Sequence, residues 1–451
     1  MGIPSRSLSL ALCVASLVDA VNFEPGNWTI GQVVQTSSGS VFGHPASVYQ
    51  EVSEYLGIPY AVPPVGNLRW TTPQMFSGTD PINGTDYGFS CPAVIQPTDL
   101  SNFPRLNVTT SGLTYLSLLS QTGDKFDEDC ITINVWTKPQ SGEVKKAVLV
   151  WIYGGEFSSG KDVVLVSFNY RLNIFGFPGI PDSTQNLGLL DQRLAIEWVQ
   201  KNIEAFGGDA SRITLFGQSA GGASVDYYTY AWTSDPIAHG FIEESGSLFG
   251  PAGGLGAISA EAAASNWFNL TNALGCVDEM IVFSNYKQRS ISGNLIKLPL
   301  LLGTTNNEAG LLRSLDGLLN LSYPDPYWNA FNDFVFVCPC STRANISISN
   351  RIPTWRYGWF AWHSSELAVL FNNTPNGQGL NGQMIPNNTE AEIQIGSYMR
   401  GACATFAKDP MNGLKSYQDG RPQYDLSGNT LVRFLGPDSY GKFSTTQAKY
   451  I

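Results

Sequence analysis

The chain has 451 residues, 43% of them apolar and only 14% charged, with 26 Lys and Arg against 37 Asp and Glu for a net charge of −11. Such a composition supplies a large core beneath a surface of mostly neutral polar side chains, which excludes a disordered chain. No cluster of Lys or Arg is present to follow a phosphate backbone, which argues against nucleic acid as a partner.

The first twenty residues carry Arg6, the apolar stretch from Leu8 to Val18 and then Val18-Asp19-Ala20. This pattern predicts a secretory signal peptide over residues 1–20, too short to span a bilayer. Eight Asn-x-Ser/Thr sequons, beginning at Asn27, Asn83, Asn107, Asn269, Asn320, Asn345, Asn372 and Asn387, point the same way. No later segment is long and apolar enough to be a transmembrane helix, so a secreted, extracellular protein is expected. No charge run or low-complexity linker divides residues 21–451, which predicts a single large domain.

Beyond the signal lie Cys91, Cys130, Cys276, Cys338, Cys340 and Cys403. In an oxidising compartment these are disulfide candidates with every pairing open. Cys338-x-Cys340 is too tight for a zinc knuckle, and the histidines are His44, His239 and His363 alone. No metal or cofactor is expected.

Residues 147–152 and 163–169 read as two parallel strands, with 153–162 between them. A crossover with its own helix usually takes at least about 10–12 residues, so this connection is short. Farther on, the apolar run Ile213-Thr214-Leu215-Phe216 predicts a strand. It leads into Gly217-Gln218-Ser219-Ala220-Gly221 and a small-residue stretch that can start a helix. That is the strand, sharp turn and helix context of a nucleophile elbow: flanking glycines permit a tight turn that lifts the Ser219 hydroxyl clear of the sheet. The Ala220 N–H, just after the nucleophile, is one donor for an oxyanion.

A serine hydroxyl needs a base to take its proton, and the base needs a third group to hold its tautomer. His44 lies in a polar N-terminal stretch, and His239 reads as a surface residue between a helix and a strand. Residues 298–303 read as a buried strand followed by the loop 304–310, which carries Glu308. Catalytic groups in open α/β sheets gather at such carboxyl ends. His363 follows within Trp362-His-Ser-Ser-Glu-Leu367.

Further segments join the elbow: Glu54 to Trp70, Glu128-Asp-Cys-Ile-Thr-Ile-Asn-Val-Trp136, Trp151-Ile-Tyr-Gly-Gly-Glu-Phe157, Asn169-Tyr-Arg-Leu172, Asn186-Leu-Gly-Leu-Leu-Asp-Gln192 and Phe206-Gly-Gly-Asp209. In this order the chain closely resembles the type-B carboxylesterase and lipase family, which includes the cholinesterases, from about residue 25 to the C-terminus. The resemblance implies an α/β-hydrolase fold, a mostly parallel twisted sheet flanked by helices. It also implies a secreted serine hydrolase of carboxylic esters, a carboxylesterase or lipase, with the triad Ser219, Glu308 and His363 and no cofactor. The oxyanion hole falls on the backbone N–H groups of Gly155, Glu156 and Ala220. Glu156 stands where the family has a third glycine, and its carboxylate is expected to oppose the developing anion and lower activity.

The same resemblance pairs Cys91 with Cys130, closing an apolar flap loop over 91–130 that either opens at a lipid–water interface or walls an esterase gorge. It places buried ion pairs at Arg69 with Glu128 and at Arg171 with Asp191. Cholinesterase activity is disfavoured, because Gln218 replaces the glutamate that cholinesterases carry and the 91–130 loop has no Trp. The family pattern is longer than this chain after Gly160, after Cys276, and between Glu308 and His363, so the chain reads as a shortened member. On that reading Cys276 stays unpaired and Cys403 bonds Cys338 or Cys340. The rival expectation is a catalytically impaired binding or scaffold protein that keeps the fold. The motifs do not encode the acyl group, the alcohol or the oligomeric state.

Overall fold

A computed structural model describes residues 27–47, 49–93, 124–152, 162–180, 183–249, 278–318, 322–370, 389–418, 420–434 and 443–446. Strands β1 (Val34–Thr36), β2 (Gly39–Phe42) and β5 (Ile82–Asn83) form a small N-terminal sheet. The remaining strands join one eleven-stranded sheet. They are β3 (His44–Pro45), β4 (Ser53–Pro59), β6 (Thr132–Thr137), β7 (Lys146–Ile152), β8 (Val164–Phe168), β9 (Gly208–Gln218), β10 (Gly240–Glu244), β11 (Leu300–Asn307), β12 (Thr354–Trp362), β13 (Leu431–Phe434) and β14 (Phe443–Thr446). In space the order is β14-β13-β12-β11-β10-β9-β7-β8-β6-β4-β3. From β13 to β8 every neighbour is parallel, and the flanking pairs are antiparallel.

Parallel strands need cover on both faces, and their central residues are accordingly mostly apolar. In β7 every residue is buried. Val148, Val150 and Ile152 enter one apolar cluster, while Ala147, Leu149 and Trp151 enter the other. The first face is covered by α1 (Leu187–Asn202), α2 (Ala220–Ala231) and α5 (Cys338–Ser349), and the second by α6 (Ser365–Leu370) and α7 (Glu390–Lys408). A capping box starts α7: Thr389 accepts from the Glu392 N–H, and the Glu392 carboxylate accepts from the Thr389 N–H at 2.6 Å. Between β11 and α5, α3 (Ala309–Leu318) and α4 (Asp325–Asn332) pack on each other at the carboxyl rim of the sheet. This is the mostly parallel, helix-flanked α/β sheet that the family resemblance implied.

The structure sharpens several expectations. β11 runs on through Asn307, so residues 304–307 are strand and not loop. They continue because β12 offers parallel partners as far as Trp362, with an irregularity between Thr305 and Asn307. Strands β7 and β8 are direct parallel neighbours, with Val148 opposite Val164. The segment between them therefore joins the carboxyl end of β7 to the amino end of β8, and residues 153–161 lie outside the described residues. It re-enters at Asp162, whose φ of 59° is in the left-handed region. Its carboxylate accepts from the buried Lys146 ammonium and, at 3.1 Å each, from Lys408 Nζ and the Glu143 N–H.

Arg171 and Asp191 form a buried bidentate pair, with side chains 3% and 0% exposed. The other expected pair forms but is not buried: Arg69 and Glu128 keep 34% and 26% of their side chains exposed, because Arg69 lies in the loop after a short surface turn. Cys91 and Cys130 are joined, with Cα atoms 5.0 Å apart. The expected bond from Cys403 to Cys338 or Cys340 is absent; all three are free thiols. Cys340 belongs to the cluster on one face of the sheet and Cys403 to the cluster on the other, so the sheet itself separates them. Residues 1–20, Cys276, and the flap residues 94–123 lie outside the described residues. Among those described, no helix is long and apolar enough to cross a membrane.

Candidate active site

Four strands end at one rim, and the residue after each is polar: Ser219 follows β9, Ser245 follows β10, Glu308 follows β11 and His363 follows β12. Register aligns these ends in two pairs: β9 and β10 finish together, with Gln218 opposite Glu244, while β11 and β12 run on past the Glu244–Gly303 pair and finish together, with Asn307 opposite Trp362. Parallel pairing thus gathers side chains separated by as many as 144 positions in the chain.

At Ser219 the backbone takes φ 56° and ψ −119°, a strained conformation for a residue with a Cβ. It turns the chain from β9 into α2 within one residue. A Cβ on Gly217 would stand 2.4 Å from the Gly221 carbonyl oxygen, and one on Gly221 would stand 2.0 Å from that of Ile152. Gly246 is a third requirement that the elbow motif did not reveal, because a Cβ there would meet the Ser219 carbonyl oxygen at 2.0 Å. The Ser219 N–H donates to the Glu244 carbonyl at 2.8 Å, locking the turn to β10.

The Ser219 Oγ lies 2.8 Å from His363 Nε2, and His363 Nδ1 lies 2.7 Å from Glu308 Oε2. The other carboxylate oxygen, Oε1, accepts from the Thr305 N–H at 2.6 Å and from the Ser245 hydroxyl at 2.7 Å. Glu308 is fully buried and His363 nearly so. Because the carboxylate meets only donors, Nδ1 carries the hydrogen toward it and Nε2 is left to accept from Ser219. Burial by itself would lower the His363 pKa, but the Glu308 hydrogen bond and charge, followed by the Glu366 charge, raise it above the ordinary imidazole value.

Two further carboxyls are buried behind this line. Burial, then the charges of Glu308 and Glu244, push Glu366 well up. Burial pushes Glu244 up to about 8, a hydrogen bond from Tyr357 opposing it. Both shifts favour the protonated carboxyl over the charged one.

Sequence reasoning named Ser219, Glu308 and His363, and the structure brings them together. It also named Ala220, the exposed first residue of α2, whose N–H is among those a helix start leaves without an intrahelical partner. Gly155 and Glu156 lie outside the described residues. Of the other histidines, His44 is in β3 and His239 is exposed just before β10, neither of them at this rim. Missed by sequence reasoning were Ser245, Asn332, whose Oδ1 accepts the Glu308 N–H at 2.8 Å, and Phe336, whose ring centroid lies 5.0 Å from that of His363. Glu244-Ser-Gly246 directly after an apolar strand could have signalled Ser245. Asn332 and Phe336 carry no local signal, since they reach the site through helix packing. Ser245→Ala should lower kcat about tenfold, consistent with losing one hydrogen bond to a buried charge. Kinetics normalised to titrated active sites would check this, and an unchanged kcat would make Ser245 dispensable.

The pattern describing the carboxylesterase family matches residues 31–292. The chain is 31% identical to the chlorogenic acid esterase of Aspergillus niger, over 85% of this chain and 84% of that protein. It is 29% identical to secreted lipase 5 of Gibberella zeae, over 95% of this chain and 94% of that protein. That second alignment spans 526 positions, more than the 451 residues here, so the relative has segments without a counterpart in this chain. Among solved structures, a PNB esterase superposes with a TM-score of 0.69 at 25% identity, covering 89% of this chain and 95% of that one.

Proposed function

Because the chain belongs to the carboxylesterase family and is a carboxylic ester hydrolase, we propose that it is a secreted serine esterase using Ser219 as nucleophile, His363 as general base and acid, and Glu308 to orient His363. The observation that carries this reading is the unbroken line of short contacts from Ser219 Oγ through both imidazole nitrogens to Glu308. Ser219 Oγ attacks the ester carbonyl carbon as its proton passes to Nε2. The carbonyl oxygen becomes an oxyanion facing the Ala220 N–H and, on the family pattern, those of Gly155 and Glu156. The imidazolium then gives its proton to the departing alkoxide, leaving an acyl-Ser219. Water enters, loses a proton to Nε2 and attacks the acyl carbon, and the acid departs as Ser219 regains its hydrogen.

Export rests on the N-terminal apolar stretch and the sequons, and is supported by the relative named as a secreted lipase. The mature chain is one domain over 21–451, shortened relative to its longer relatives.

The substrate reading follows from the proton's path. Since Nε2 must reach the leaving oxygen, the alcohol portion lies on the imidazole side of Ser219, where Phe336 packs against His363. Aromatic contacts run outward from Phe336 to Phe331 at 6.4 Å, Trp328 at 6.0 Å and Tyr327 at 5.1 Å, ending at Tyr323 stacked 4.5 Å from Tyr327. Tyr323 and Tyr327 are exposed. Such a track favours an aryl-bearing alcohol. Benzyl acetate should exceed hexyl acetate in kcat/KM by about 2- to 10-fold, the range of one aromatic pair, and Phe336→Leu should erase the difference. Equal rates for the two esters in the wild-type enzyme would remove this preference. A fluorophosphonate probe that modifies the folded protein at any residue except Ser219 would remove the triad assignment.

A further inference from the structure

We infer that Gln218, the residue just before the nucleophile, is a positioning residue whose side-chain amide follows His363 through both of its charge states, with Ser364 as the pivot. The inference rests on the triad reading above. Gln218 is the last residue of β9 and only 6% exposed. Its Nε2 lies 3.4 Å from His363 Nε2 and 3.0 Å from Ser364 Oγ. It therefore faces the one imidazole atom that exchanges a proton with Ser219 in each half of the reaction.

In the resting state that imidazole nitrogen has a lone pair. It accepts from Ser219 Oγ at 2.8 Å, and the Gln218 amide hydrogen is a second, longer donor to the same atom. When the proton arrives, Nε2 becomes a donor, and an amide NH2 facing it becomes repulsive. A half turn of the amide exchanges its nitrogen and oxygen. The carbonyl oxygen then faces the imidazolium, and the Ser364 hydroxyl, able both to accept and to donate, rotates to donate to that oxygen. The exchange keeps the contacts to His363 and Ser364 and adds no net charge.

Among the described residues, the other groups facing the imidazole are Glu308 from the end of β11, Glu366 from α6 and the Phe336 ring, with Glu244 of β10 acting through Glu366. Against this set a neutral residue at position 218 adds no charge, and the balance between imidazole and imidazolium stays with Glu308 and, behind it, Glu366. A carboxylate in its place would favour the imidazolium. An apolar side chain would remove the acceptor that the imidazolium needs.

The experiment compares kcat/KM for 4-nitrophenyl acetate in wild type, Gln218→Glu and Gln218→Met from about pH 5 to pH 9, a span that brackets histidine titration. Active sites are counted by fluorophosphonate titration. In Gln218→Glu the acidic limb should move up by about 1 unit or more, the effect of an opposite charge within a few ångströms. Below the limb this lowers the rate about tenfold. In Gln218→Met the limb should move down and the plateau should fall. A residue that only supports the fold would scale the whole profile without moving the limb, so limbs coincident with wild type at normal site counts would overturn the inference. If Gln218→Glu does not fold, Gln218→Met decides alone: a lowered limb supports the inference and an unmoved limb overturns it. Wild-type protein that is never labelled at Ser219 would instead remove the triad reading, and this inference with it.

Discussion

Ser219→Ala is expected to abolish ester turnover, lowering kcat by a factor on the order of 10⁵ to 10⁶ as in other serine hydrolases stripped of their nucleophile, while the protein stays folded. The hydroxyl is a terminal atom at the mouth of the elbow, and alanine accepts the same left-handed backbone at no greater strain. The glycine contacts at 217, 221 and 246 and the backbone bond from residue 219 to Glu244 are untouched. What disappears is the hydroxyl 2.8 Å from Nε2, which on the proposed mechanism forms the acyl intermediate. Residual rate would come from the oxyanion donors and binding alone. Steady-state kinetics beside a thermal melt provides the check, and a variant keeping more than about one part in a thousand of wild-type kcat would exclude Ser219 as nucleophile. The pH dependence follows from the same line of atoms. If His363 is the base, it must be neutral to act, and its pKa is raised, so activity should be lost as pH falls through a value above that of free imidazole.

Asp191→Ala should cost about 3–5 kcal/mol of stability, the usual penalty for leaving a buried charge without its partner. Asp191 meets Arg171 with both carboxylate oxygens, at 2.8 and 2.7 Å, and also accepts the Arg171 N–H at 3.0 Å. The remaining guanidinium nitrogen donates to the carbonyls of Arg69 and Thr71. This one cation thus joins the end of β8, the helix α1 and the segment after β4. Without Asp191 it would be stranded at 3% exposure. The urea midpoint would register the loss, and a midpoint within experimental scatter of wild type would mean that water enters and solvates the cation. Glu128→Ala, which breaks the pair that is a quarter to a third exposed, should have a far smaller effect, because solvent already screens that charge.

The two ion pairs illustrate what a sequence can carry. Both partnerships were legible in the motifs, but burial was not, since it depends on what the surrounding loops cover. The same division runs through the site. Ser219 was legible because its turn needs glycines at fixed offsets, and Glu308 because it follows an apolar strand. His363 was named through the family segment around it and not from its spacing. Asn332 and Phe336 were not legible, because they reach Glu308 and His363 by packing of α4 and the segment after it against the rim. Gly246 escaped notice because its requirement comes from Ser219, 27 positions earlier in the numbering. Strand β11 was read too short because its polar end, Thr304 to Asn307, looks like loop until β12 is placed alongside. The error over Cys403 has the same origin: spacing along the chain says nothing about which face of a sheet a thiol will occupy.

That last arrangement bears on how the molecule responds to its redox surroundings. With a full sheet between them, Cys340 and Cys403 could meet only if strands came apart, so an oxidant meets two shielded, separate thiols instead of a latent crosslink. Among the described cysteines, a reductant finds one bond to break, at the neck of the loop 91–130. Mild reduction would thus open that closure and leave the strands that carry Ser219, Glu308 and His363 paired as they are.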